Sequence, residues 1–182
     1  AYVGAQGISL ATMVATLSAH KRDWDERWEE FSDWAKRGQR QKDALLQLVD
    51  ADTQAFNAIM AAFRLPKSTE AEREARTAAI QAATREAIEV PRRVMKLATS
   101  SFSVIRGMAK TGNPNSLSDA GVGALCARAA VHGAFLNVKI NAGSLADRDY
   151  VAEVLAEGEQ LLVEANAQEA LILKLVNEKL GD

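Results

Sequence analysis

At 182 residues, 48% of them hydrophobic, the chain can bury a core as a single domain over 1–182. A formal net charge of −2 without a basic stripe argues against nucleic acid as a partner, and the single cysteine excludes an internal disulfide and a cysteine-based zinc site. No run approaches the roughly 18 apolar residues of a membrane span, and no basic-then-apolar leader opens the chain, so no membrane partner and a cytoplasmic location are expected. His20 and His132 are too few and too far apart for a metal cluster, and Cys126, beside Leu125 and Ala127, reads as a buried thiol. The sequence opens without Met in what reads as mid-helix, so further residues are expected ahead of Ala1.

From about Tyr2 to Ala19 small residues (Gly4, Ala5, Gly7, Ser9, Ala11, Ala15) alternate with Val3, Ile8, Leu10, Met13, Val14 and Leu17. Each helical glycine costs roughly 1 kcal/mol relative to alanine, and close helix contact or ligand approach is the expected compensation. Trp24, Trp28 and Phe31 then recur at helical spacing, which points to core or interface packing, and Gly38 is expected to end or bend that segment. A helix from about Gln41 to Phe63 carries Leu45, Leu48, Val49, Phe56, Ile59, Met60 and Phe63 on one face. Asp52 lies four residues from both Leu48 and Phe56, hence on that apolar face, whereas Asp50 sits about 200° away around the helix.

Leu65-Pro66-Lys67-Ser68 breaks the chain, Thr69 and Glu72 make a capping box, and Pro91 is expected to kink or restart the helix that follows. Thr111-Gly112-Asn113-Pro114-Asn115-Ser116 is turn-forming, after which Ser116 or Ser118 caps a small-residue helix to about Ile140. Asn137 and Asn141 share one face of it, and Asp147 caps a last helix ending near Leu180. No alternating β pattern is present. The fold class is therefore all-α, a bundle of about six or seven helices, with its two small-residue helices at the centre or at a subunit interface.

Phosphate-loop and thiolate-metal patterns are missing, and Gly121-Val122-Gly123 lacks the preceding strand of a dinucleotide fingerprint. What remains is a carboxylate on an apolar face and a polar loop, Gly112 to Asp119, expected to meet it in space. A desolvated carboxylate holds its proton to higher pH, the property that acid–base chemistry near neutrality requires. The alternative for Asp52 is a buried acid satisfied by backbone or arginine. For Asn113, Asn115 and Ser118 it is turn and cap chemistry, and for Asn137 and Asn141 an amide network between helices.

Taken in order, Val49-Asp50-Ala51-Asp52 with Ala55-Phe56, Arg64-Leu65-Pro66-Lys67 with Thr69, Val90-Pro91, Gly112-Asn113, Ser118-Asp119 and Phe135-Leu136-Asn137-Val138-Lys139-Ile140-Asn141 resemble the cyclodeaminase/cyclohydrolase family of folate enzymes. That resemblance implies an all-helical dimer, or a larger homo-oligomer, with Asp52 as the catalytic carboxylate. It implies Gly112, Asn113, Ser118 and Asp119 near the folate. Asn137 and Asn141 are expected to orient the pterin, and Lys21 to meet the glutamate tail of a polyglutamylated folate. The family's Gly-Gly-Gly-Ser turn belongs just ahead of the first residue here. No metal and no cofactor beyond the tetrahydrofolate substrate is called for. The expected reaction converts 5-formiminotetrahydrofolate to 5,10-methenyltetrahydrofolate and ammonia, as in histidine breakdown. Methenyltetrahydrofolate cyclohydrolase and a non-catalytic helical dimerisation scaffold are the alternatives.

Overall fold

The computed structural model describes residues 1–181. Among them are five α-helices and no strand: α1 (Tyr2–Ala19), α2 (Trp28–Phe63), α3 (Glu70–Thr111), α4 (Leu117–Ala142) and α5 (Arg148–Leu180). Single 3₁₀ turns, Asp25–Arg27 and Pro114–Ser116, lead into α2 and α4. The all-α expectation holds, but six or seven helices become five because both expected breaks are absorbed.

Gly38 neither ends nor bends a segment into two elements; it is buried inside α2. A Cβ built there would lie 2.2 Å from the Thr12 hydroxyl, so glycine is what lets α1 and α2 cross so closely. Pro91 likewise lies within the continuous α3. Between those helices Thr69 accepts from the Glu72 N–H while the Glu72 carboxylate accepts from the Thr69 N–H, the capping box expected from sequence. Asp147 caps α5 by accepting from the Tyr150 N–H. Ser116 occupies the N-cap position of α4, but its side chain makes no capping bond.

The small-residue helices are the inner pair. α1 and α4 run antiparallel, so close at Gly7 and Gly123 that a Cβ on either would lie under 3 Å from the other's carbonyl oxygen. α4 also packs on α3 and α5. It is long and apolar enough in composition to cross a membrane, but half of that stretch is buried in the bundle. Phe31, Leu45, Ile88, Met95, Phe102, Ile105 and Met108 fill the core as fully buried side chains. Trp24 stacks on Phe31 with centroids 5.4 Å apart, closing one end, whereas Trp28 is exposed. Cys126 is half-buried rather than buried.

A polar clasp ties α3 to α5. Arg92 bonds Glu89 at 3.0 Å, Glu153 at 3.0 Å and also Glu157, which in turn meets Lys96 at 2.8 Å. Tyr150 donates its hydroxyl to Glu89. Burial pushes the Glu89 and Glu157 carboxyls up, but the hydrogen bonds they accept and the Arg92 and Lys96 charges outweigh it and hold both below the usual carboxylate range. The Tyr150 phenol, buried and facing a carboxylate, is pushed up to about 12.

Candidate active site

α1 and α2 run antiparallel, so that Gly4 packs on Leu45, and Ala1 and Tyr2 share a cavity wall with Leu48 and Val49. Beyond that level on α2 stands Asp52. A trough opens there between α2, α3 and α4, in two lobes. The first, about 310 Å³, is bounded by Tyr2, Leu48, Val49, Pro91, Val94, Gly133 and Ala134. The second, about 380 Å³, is bounded by Ala55, Phe56, Ile59, Ala87 and Asn141. Asp52, Thr53 and Asn137 belong to both and form the saddle between them.

Asp52 is exposed, not the buried inward acid expected from its helical phase. The seam of α2 that is buried runs through Phe31, Gly38, Leu45, Leu48, Ala55 and Ala62, and Asp52 flanks it. Among the described residues its carboxylate makes no hydrogen bond or ion pair and is free to receive a ligand.

The amides across the saddle are held in place by a backbone defect. Pro91 has no N–H to give to the Ala87 carbonyl one turn earlier, and that oxygen instead accepts from Asn141 Nδ2 at 3.1 Å. The same Nδ2 donates to the Asn137 carbonyl at 3.1 Å, with a longer 3.4 Å contact to Asn137 Oδ1. Both hydrogens of Asn141 are therefore used within the protein, while among the described residues its Oδ1 and the Asn137 Nδ2 have no partner. A carboxylate, one free acceptor and one free donor thus face a shared cavity. Such a set can transfer a proton and read a heterocycle edge. Asn137 and Asn141 do form an amide link between helices, and they line the cleft as well.

Comparison with known proteins agrees with this architecture. The formiminotransferase-cyclodeaminase family model matches residues 1–160. The chain belongs to that family. It is 36% identical over 178 residues to a methenyltetrahydrofolate cyclohydrolase of Methylorubrum extorquens, covering 98% of this chain and 86% of that protein. It is 35% identical over 173 residues to the formimidoyltransferase-cyclodeaminase of Gallus gallus, covering 95% of this chain but only 32% of that protein. The solved structure of formiminotetrahydrofolate cyclodeaminase from Thermotoga maritima superposes with a TM-score of 0.76 at 26% identity, over 97% of this chain and 82% of that one.

Not every residue that the family resemblance nominates lies in the cleft. Gly112, Asn113 and Lys21 gather at the opposite end of α1, so the expected meeting of the two polar stretches does not occur within one chain. The Asn113 N–H donates to the buried Ser18 hydroxyl at 2.8 Å, and Gly112 packs tightly on Val14. Asn113 Oδ1 accepts from the Asn115 N–H, which is turn chemistry. Lys21 lies over the Trp24 ring, 3.8 Å from its centroid. Ser118 and Asp119 fall in the first turn of α4, near the same end. At a rise of 1.5 Å per residue, the length of α1 separates this group from Asp52 by about 25 Å.

Three contributors escaped the reading of the sequence: Thr53 at the saddle, Tyr2 at one rim, and Pro91 with the carbonyl it frees. Pro91 alone left a signal, as a proline inside an otherwise uninterrupted helical pattern.

Proposed function

We propose that the Asp52 cleft is the catalytic site of a formimidoyltetrahydrofolate cyclodeaminase. The observation that carries this reading is the unpartnered Asp52 carboxylate at the saddle of a two-lobed trough, opposite two anchored amides. N10 of 5-formiminotetrahydrofolate attacks the formimino carbon to give a tetrahedral centre bonded to N5, N10 and an amino group. The Asp52 carboxylate takes the proton that N10 sheds and passes it to that amino group, ammonia leaves with the C–N bonding pair, and the N5–C–N10 bridge becomes the 5,10-methenyl cation. Folate is thus the substrate, and the chemistry calls for no metal or further cofactor.

A second reading has its own support. The same carboxylate acting as a base on water would open the methenyl bridge to the 10-formyl product, which is cyclohydrolase chemistry. A relative bearing that name aligns over 86% of its length. The absorbance of 5,10-methenyltetrahydrofolate separates the two. An enzyme-dependent rise from the 5-formimino compound, with ammonia released, identifies the cyclodeaminase. A fall from the methenyl compound, faster than its spontaneous hydrolysis, identifies the cyclohydrolase. Silence in both assays leaves a non-catalytic scaffold.

The working unit in this proposal is a homodimer. Val3, Met13 and Leu17 of α1 and Val122, Leu125, Leu136 and Ile140 of α4 are exposed, Ile140 to 76%, and make one apolar face on the two adjoining helices. A two-fold axis lying in that face and crossing the helices exchanges the two ends of the bundle. It would bring Lys21 and the Gly112–Asp119 loop of a second copy toward Asp52, where Lys21 can meet a glutamate tail. Sedimentation of the chain as a monomer at micromolar concentration would remove this part of the proposal.

A further inference from the structure

Asp52 does not sit at the bottom of a pocket but between two, and the two differ in one polar side chain: Asn141 lines the second lobe and not the first. The first lobe is walled by Leu48, Val49, Pro91, Val94 and Ala134, with the Tyr2 ring at its rim, and beyond the shared saddle no amide side chain lines it. The other has the Phe56 ring, 61% exposed, one helical turn beyond Asp52 and on the same side of α2. Lining the same lobe are Asn141, whose Oδ1 has no partner among the described residues, and, from the saddle, Asn137, whose Nδ2 has none. An aromatic wall with a nearby acceptor and donor suits a flat heterocycle with an amide edge, stacked on one side and hydrogen-bonded along its rim.

The folate reading supplies a substrate with the same division. Its reacting carbon bridges N5 of the pteridine to N10 of the aminobenzoyl half, so a group acting on that carbon must lie between two ring systems. Resting on that reading, we infer that the lobe of Phe56 and Asn141 holds the pteridine ring, and the lobe of Val49 and Pro91 the aminobenzoyl ring. The N3–H or the 2-amino group donates to Asn141 Oδ1, the 4-oxo group accepts from Asn137 Nδ2, and Phe56 stacks on the ring. The aminobenzoyl ring has no comparable edge to satisfy and falls in the lobe that Asn141 does not line. Phe56 is a positioning residue here: it sets which way the substrate lies across Asp52.

The test uses 5-formyltetrahydrofolate, a non-reacting analogue, and the full chain prepared deuterated except for protonated phenylalanine. Of the five phenylalanines, Phe31, Phe102 and Phe135 are buried and Phe63 lines neither lobe, so Phe56 is the ring placed to reach a ligand there. Saturating the phenyl protons is expected to attenuate the pteridine C6 and C7 protons of the ligand and spare its benzoyl protons. Phe56→Leu is expected to abolish the transfer and weaken binding about tenfold with the helical circular dichroism unchanged, and Asn141→Leu to weaken it by a similar factor. Transfer to the benzoyl protons, or binding without any transfer, overturns the lobe assignment while the folate reading stands. No binding of 5-formyltetrahydrofolate by the unmodified chain overturns the folate reading itself.

Discussion

Two sides of α3, at one level of the helix, treat polar groups in opposite ways. On the α5 side every charged side chain bonded to Arg92 is held: Glu89, Glu153, Glu157, Lys96 and Tyr150 close into one network. On the α4 side, around Pro91, Asn137 and Asn141 are only half used, and Asp52 across the trough is not used at all. A closed network contributes to holding helices together, whereas an open one contributes nothing to folding until something binds. The contrast assigns stability to one side and chemistry to the other, and each assignment can be broken separately.

The largest effect is expected at Asp52. Asp52→Asn keeps the size of the side chain and removes its proton chemistry, and should lower turnover by about 10²- to 10⁴-fold. Since the carboxylate has no partner in the fold, the melting temperature should stay within a degree or rise. An inactive variant that also melts well below the parent would mean that Asp52 belongs with the closed kind. The mirror experiment is Arg92→Met. It leaves Glu89 with only the Tyr150 hydroxyl and Glu157 with only Lys96, side chains 30% and 29% exposed, and is expected to cost about 3 kcal/mol. For a chain of this length that lowers the melting temperature by about 6–12 °C. Turnover per folded molecule, read in the methenyl absorbance assay, should change less than threefold.

How far this contrast was legible in the sequence follows from what each feature depends on. Helical periodicity, the Thr69–Glu72 box and the Asp147 cap are local, so the helices and several of their ends could be read directly. Helix count could not, because Gly38 and Pro91 look like breaks until the neighbouring helix is in place. Gly38 is required by the crossing of α1, and Pro91 passes its unmet carbonyl to Asn141. Phase placed Asp52 beside Leu48 and Phe56, but the residues of α2 that its neighbours bury run through Leu48 and Ala55 with Asp52 to one side, and so burial was misjudged. The ordered residues of the family resemblance named the polar stretches without their separation along α1.

Acid titration sharpens the comparison with a smaller effect. A carboxylate held below its ordinary value contributes stability that is fully present above the unfolded value, 4.5 for glutamate, and is lost as pH falls through the folded value. Glu89 and Glu157 should therefore leave the melting temperature flat from pH 7 to about 5 with respect to these groups, and lower it below about pH 4.5. Glu157→Gln should start lower and lose less over that acid interval, a difference of about 1 kcal/mol between pH 5 and 3. Thermal melts of both proteins across that range suffice. Equal acid slopes would show that the clasp does not govern acid stability.

Pro91 touches both halves of the comparison, and its replacement should move them in opposite directions. Pro91→Ala restores an N–H that reaches the Ala87 carbonyl, completing the α3 ladder and removing a residue that costs helix interiors up to about 3 kcal/mol. Stability should rise by roughly 1 kcal/mol, less than the intrinsic penalty because the native helix already tolerates the proline. The restored donor competes with Asn141 Nδ2 for Ala87 O, so the Asn141 amide loses one of its two anchors. Its Oδ1 is then less fixed toward the cleft, and KM should rise about fivefold with kcat nearly kept, because Asp52 stands on another helix. A variant both more stable and weaker in substrate binding is what an open site held in place by a backbone defect requires. Gain of stability with unchanged KM would show that Asn141 is oriented without Ala87, and loss of stability would show that the proline fits α3 better than an uninterrupted ladder.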